Sequence, residues 1–136
     1  MKPTLNRRRT ATALVSLALL AGVTGSGVLA AAPDAAATTV YACNVTGGFG
    51  PLRAGYYSGS TVIPSTTRVT AAGKEAQCLL KYRGYNPGAI DGIFGATSRA
   101  AAKDFQESRN ELCDAGLAED GSVGPKTWPW LRFTGC

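Results

Sequence analysis

The chain has 136 residues, 45% hydrophobic and 17% charged, enough for one ordinary globular domain and a tail but not for two domains. It contains no histidine, which excludes histidine zinc sites, Ser-His-Asp and Cys-His nucleophile pairs, and imidazole acids or bases. Four of the 14 basic residues, Lys2, Arg7, Arg8 and Arg9, lie at the start, and the other 10 face 9 acidic ones, so the formal +5 falls to +1 beyond them. Such a chain, with no basic stripe interleaved with aromatics, cannot displace many counterions from a polyphosphate, and no nucleic-acid partner is expected.

Residues 1–30 run from that basic start through Leu14, Val15, Leu17, Leu19 and Leu20 to small residues at Gly25, Gly27, Ala30, Ala31 and Ala32. This is the order of a secretory signal peptide. Gly22, Thr24, Gly25, Ser26 and Gly27 break the apolar run short of the roughly 20 residues that span a bilayer. Cleavage is expected after Ala30, or as late as Ala37. Arg7-Arg8 lacks the apolar pair that follows a twin-arginine signal, which favours the general secretory route. No membrane association is expected after cleavage.

An exported chain meets an oxidising environment, so Cys43, Cys78, Cys113 and Cys136 are expected to form two disulfides. Three connectivities are possible. Cys43–Cys78 with Cys113–Cys136 is favoured, because each closes a short loop and closure entropy grows with length. Each bridge contributes roughly 2–4 kcal/mol. With neither histidine nor a Cys-x-x-Cys pair, a metal site is the weaker reading.

Residues 31–70 are rich in Ala, Thr, Ser and Gly, are punctuated by Pro33, Pro51 and Pro64, and lack helical period: a tail and an irregular arm. Tyr41, Phe49, Tyr56, Tyr57, Val62 and Ile63 are too apolar for a solvating linker, so the arm is expected to wrap the domain, tethered by Cys43. Asn44-Val45-Thr46 matches a glycosylation sequon but carries no weight by itself. Thr70 is a candidate N-cap for a first helix, where Ala72, Ala76, Leu79, Leu80 and Arg83 keep helical spacing. That helix stops at Gly84, and Tyr85-Asn86-Pro87-Gly88 reads as a turn. A second helix is expected after Ser98 as its cap, with Ala101, Ala102, Phe105 and Leu112 inward and Arg99, Lys103, Glu107 and Arg109 facing water. A third is expected after Thr127, with Pro129 in its first turn and Trp128 and Leu131 buried.

The most specific feature is a repeat: Asp91-Gly92-Ile93-Phe94-Gly95-Ala96-Thr97-Ser98 and Asp120-Gly121-Ser122-Val123-Gly124-Pro125-Lys126-Thr127. Asp-Gly makes a tight turn, the apolar residue plugs the core, the second Gly allows another reversal, and Ser or Thr caps the next helix. Neither segment offers the alternating oxygens of an EF-hand, which argues against calcium. Together with Gly84-Tyr85, Gly88, Phe105-Gln106, Gly116-Leu117, Trp128 and Leu131, and with Ala76-Gln77 and Leu80 in Leu-Gln-x-x-Leu positions, the repeat resembles the bacterial peptidoglycan-binding domain of the three-helix type. The resemblance covers about Gly73 to Leu131. It departs in three places: Ala76 is small, Gly73 stands where an apolar residue is usual, and Glu107 to Ala115 is longer than the family's connection. A Cys113–Cys136 bridge would pin that extra length.

The resemblance implies an all-α, three-helix domain over residues 71–136 and noncatalytic attachment to peptidoglycan in the cell wall, without a cofactor and as a secreted monomer. An aromatic ring can cover the apolar face of a sugar while amides and charged groups meet its hydroxyls, acetamido and peptide groups. The candidates for that work are Tyr82, Tyr85, Asn86, Asp91, Arg99, Trp128 and Trp130. Two other classes compete. A carboxylate-dependent wall hydrolase would draw on Asp91, Asp104, Glu107, Glu111, Asp114, Glu119 and Asp120, whose spacing selects no pair. A secreted interaction protein or inhibitor would use the tyrosine-rich arm.

Overall fold

The structure, a computed structural model, describes residues 38–136. The expected signal segment and both cleavage points lie outside the described residues. Three helices follow in chain order: α1 (Ala71–Tyr82), α2 (Ala96–Cys113) and α3 (Thr127–Arg132). Among the described residues the sole β feature is an antiparallel bridge between Thr46 and Arg53, so the fold is all-α, as the sequence implied.

Thr70 caps α1 as expected: its backbone is extended and its hydroxyl accepts the Gly73 N–H at 2.9 Å. Ala72, Ala76, Leu79 and Leu80 form the inward stripe. The second helix starts earlier than expected, at Ala96, with Gly95 at its N-cap and no side-chain bond there. Ser98 is inside the helix, because a buried amide described below claims its hydroxyl. Ala101, Ala102 and Phe105 join the core, but Leu112 is 69% exposed, lying beyond Phe105, the last α2 residue of the core cluster. In α3, Trp128 and Leu131 are buried as expected, and Thr127 belongs to the helix rather than capping it.

The two disulfides pair Cys43 with Cys78 and Cys113 with Cys136, the short-loop connectivity. The arm does more than hang from Cys43. Leu52 enters the core, the Tyr57 ring lies 5.3 Å from that of Trp128, and the Trp128 indole N–H donates to the Val62 carbonyl at 2.9 Å. Tyr57 also folds its own segment: its phenol oxygen accepts the Thr61 and Val62 N–H groups, and the latter bond chiefly lowers its pKa. Tyr41 donates its N–H to Ile90 and receives the Lys74 ammonium 3.5 Å above its ring.

A buried ion pair holds arm and helices together. Glu75 of α1 and Arg132 of α3 are 3.1 Å apart and both out of water. The Glu75 carboxylate also accepts the N–H groups of Ala54, Tyr56 and Tyr57, while Arg132 donates to the carbonyls of Leu52, Tyr57 and Gly59. Backbone of residues 52–59 thus supplies donors to the anion and acceptors to the cation, which is what makes a buried pair tolerable. Replacing Glu75 by Ala strands the guanidinium and is expected to cost about 3–5 kcal/mol in urea unfolding of the oxidised protein. Lys103→Ala, which breaks the exposed Lys103–Glu107 pair, is expected to cost under about 1 kcal/mol in the same assay.

Candidate functional site

Each repeat loop closes over a glutamine from the preceding helix. Gln77 Oε1 accepts the Gly92 N–H at 2.8 Å, and its Nε2 lies 3.0 Å from Asp91 Oδ1, the Ile93 carbonyl and Ser98 Oγ. Gln106 does the same: Oε1 accepts the Gly121 N–H at 2.9 Å, and Nε2 reaches Asp120 Oδ1 at 3.5 Å, the Ser122 carbonyl at 2.9 Å and Thr127 Oγ1 at 3.1 Å. The sequence separations are identical in the two units: 14, 15, 16 and 21 residues. A buried amide with no partner is costly, so the loop's polar atoms and the glutamine fix one another.

This network revises what the repeat residues do. Asp91 and Asp120 accept the N–H two residues on, at 2.9 and 2.8 Å, forming the tight turns, and Gly92 and Gly121 take φ of 79° and 71° there. Phe94 and Val123 plug the core as expected. The second glycines, Gly95 and Gly124, do not reverse the chain through positive φ, and Ser98 and Thr127 serve the glutamines in place of capping. The first loop packs so closely on α1 that a Cβ at position 73 would collide with the Gly92 carbonyl, which accounts for Gly73.

No single concavity gathers the candidate ligand residues. Tyr82 is 58% exposed and borders a 660 Å³ depression with Lys81 and the Cys43–Cys78 bridge. Asp91 borders a 140 Å³ depression over the first loop with Pro87, Gly88 and Thr97, and nearby Asn86 is exposed but uses Oδ1 to accept the Gly88 N–H. Arg99 is exposed, donates to the Asp120 carbonyl at 3.1 Å and borders a separate 190 Å³ depression. Tyr85 is half-buried, edge-on to Phe105 with centroids 5.5 Å apart. Trp128 has 0% exposure, leaving no ring face for a ligand. Trp130, its neighbour, is half-buried against the core and lines an open 580 Å³ cleft.

The carboxylates that a hydrolase would need are dispersed. Asp91 and Asp120 hold the turns, Glu119 accepts from Asn110, and Glu107 pairs with Lys103. Among the described residues no group of three or more His, Cys, Asp or Glu side chains is placed to hold a metal ion, and no helix is long and apolar enough to cross a membrane.

The sequence reading gave no role to three side chains that shape the loops and the cleft. Asn110 secures the connection from α2 to α3 by accepting the Leu117 N–H at 2.8 Å and donating to its carbonyl at 2.9 Å. Arg83, read only as part of the helical stripe, donates to the carbonyls of Trp130 and Phe133; burial and then the nearby Arg109 charge lower its pKa. Phe133 is the third, 53% exposed beside Trp130. Its only signal was an apolar residue close to two tryptophans.

Residues 71–131 match a family model described as "Putative peptidoglycan binding domain". No curated protein and no solved structure matches the chain.

The glutamine network makes a direct prediction. Gln106→Ala removes the acceptor of the Gly121 N–H and three further contacts, and is expected to cost about 1–3 kcal/mol in equilibrium unfolding. Asp120→Asn, which keeps an oxygen for the Ser122 N–H, is expected to cost less than half of that.

Proposed function

We propose that residues 71–131, which match that family model, form a domain of the peptidoglycan-binding type, and that the protein is a secreted, noncatalytic monomer that attaches to cell-wall peptidoglycan. The observation that carries the reading is the family match over 71–131, a span that takes in both glutamine-closed loops. The two disulfides suit a protein working outside the cell. Noncatalytic action is supported by the engagement of Asp91 and Asp120 in the turns, of Glu107 with Lys103 and of Glu75 with Arg132.

Tyr82, Asn86, Asp91, Arg99 and Trp130 keep atoms at the surface and are proposed as ligand contacts; Tyr85 and Trp128 act beneath the surface as packing. The wall is a polymer that repeats its sugar and peptide groups. Many individually weak contacts on it would hold the protein, so single-site affinity can be modest.

Incubation of the oxidised protein with purified insoluble walls is expected to give co-sedimentation with no fall in turbidity. Clearing of the suspension would assign a hydrolase. Absence of both, with a protein partner recovered from culture fluid, would assign an interaction protein and overturn wall attachment.

A further inference from the structure

The cleft lined by Phe49, Trp130 and Phe133 lies mostly outside the matched family segment. The Thr46–Arg53 bridge, with reciprocal hydrogen bonds of 2.9 Å, closes a hairpin whose turn runs Gly47-Gly48-Phe49-Gly50-Pro51. Phe49 projects from its tip fully exposed. The hairpin is anchored to α3 by the Leu52 N–H, which donates to the Arg132 carbonyl at 2.8 Å. Across the 580 Å³ cleft stand Pro129, Trp130 and Phe133. Arg83 ties down the carbonyls of both aromatic residues on that wall, and the Cys113–Cys136 bridge holds the tail that follows.

An exposed phenylalanine flanked by glycines contributes nothing to the core, and covering its ring beside the apolar wall of the cleft would gain the free energy of burial. The chemistry of the lining selects the occupant. No charged side chain lines the cleft, and Arg83, which is not among its lining, spends Nη2 on the carbonyls of Trp130 and Phe133. A peptide stem with free carboxylates would find no cationic side chain on the lining. Among the described residues the N–H groups of Gly48, Phe49 and Gly50 make no hydrogen bond, so the rim offers donors to hydroxyl or acetamido oxygens. Its volume falls within the roughly 300–1,000 Å³ of small-ligand sites.

We propose that the cleft between Phe49 and the Trp130–Phe133 wall takes the apolar face of a neutral N-acetylated sugar chain, with Trp130 as the platform. This deepens the wall-attachment reading and rests on it for the source of the sugar. Residues 38–70 then contribute a contact as well as stability.

The test uses the full oxidised chain, isotope-labelled and titrated with neutral N-acetylglucosamine oligomers and, separately, with free stem peptide. The oligomer is expected to shift the Trp130 indole N–H while the Trp128 indole N–H, bonded to Val62, stays in place. Phe49→Ala changes an exposed side chain and is expected to weaken oligomer binding roughly twofold to tenfold, whereas Phe49→Tyr keeps it. A silent Trp130 resonance, an unaffected Phe49→Ala variant, or a response to the stem peptide alone would overturn the cleft. Wall co-sedimentation of the unaltered protein is scored beside it. Attachment to walls with a silent cleft overturns only the sugar site; oligomer binding without wall attachment overturns only the wall; failure of both overturns both.

Discussion

Glu75 and Arg132 face each other at 3.1 Å where water does not reach, and each would be intolerable there alone. Backbone between Leu52 and Gly59 supplies three donors to the carboxylate and three acceptors to the two Nη groups of the guanidinium, while Arg132 Nε is left without a partner, so detaching the arm would strip the pair of six hydrogen bonds. The pair also fixes where α3 sits against α1. Arg132, in the last turn of α3, reaches a residue 57 positions earlier, and its own carbonyl anchors the hairpin through Leu52. The ion pair thus acts together with Leu52 in the core and the Cys43–Cys78 bridge to place the hairpin that carries Phe49.

The glutamine loops are a second, more local constraint, and they show how far sequence can be read. Aspartate, glycine and the apolar plug were legible because each has a mechanism within a few residues of itself. Ser98 and Thr127 were misassigned for the same reason: at the sequence level a hydroxyl before a helical pattern has one evident use, capping the first turn. Its actual partner is an amide 21 residues upstream, which only the packed structure brings near. Gly73 was visible as a departure from family pattern, but the close carbonyl of Gly92 that requires it was not.

Charge was the least legible signal of all. A glutamate and an arginine on amphipathic helices read as solvated faces, and Glu75 and Arg132 gave no contrary hint, because their shared partners are backbone atoms of a segment without periodicity. Leu52 was equally silent, a lone apolar residue between Pro51 and Arg53. The disulfides, by contrast, were read correctly from loop length, since closure entropy depends on the order of the cysteines along the chain and on little else.

The same contrast runs through the surface. Trp130 was legible as an aromatic near the end of the family pattern, yet the cleft it lines is closed by a second apolar surface that the pattern does not contain. That second surface comes from Phe49, whose hairpin belongs to the arm, and from Phe133, which follows α3; both lie outside residues 71–131. In a domain whose internal loops are consumed by their own glutamines, few polar groups are left over for a ligand. The extensions are free of that duty. The lining of the proposed cleft is mostly what has been added to the helical unit, and the buried ion pair holds residues 52–59 of that addition to α1 and α3.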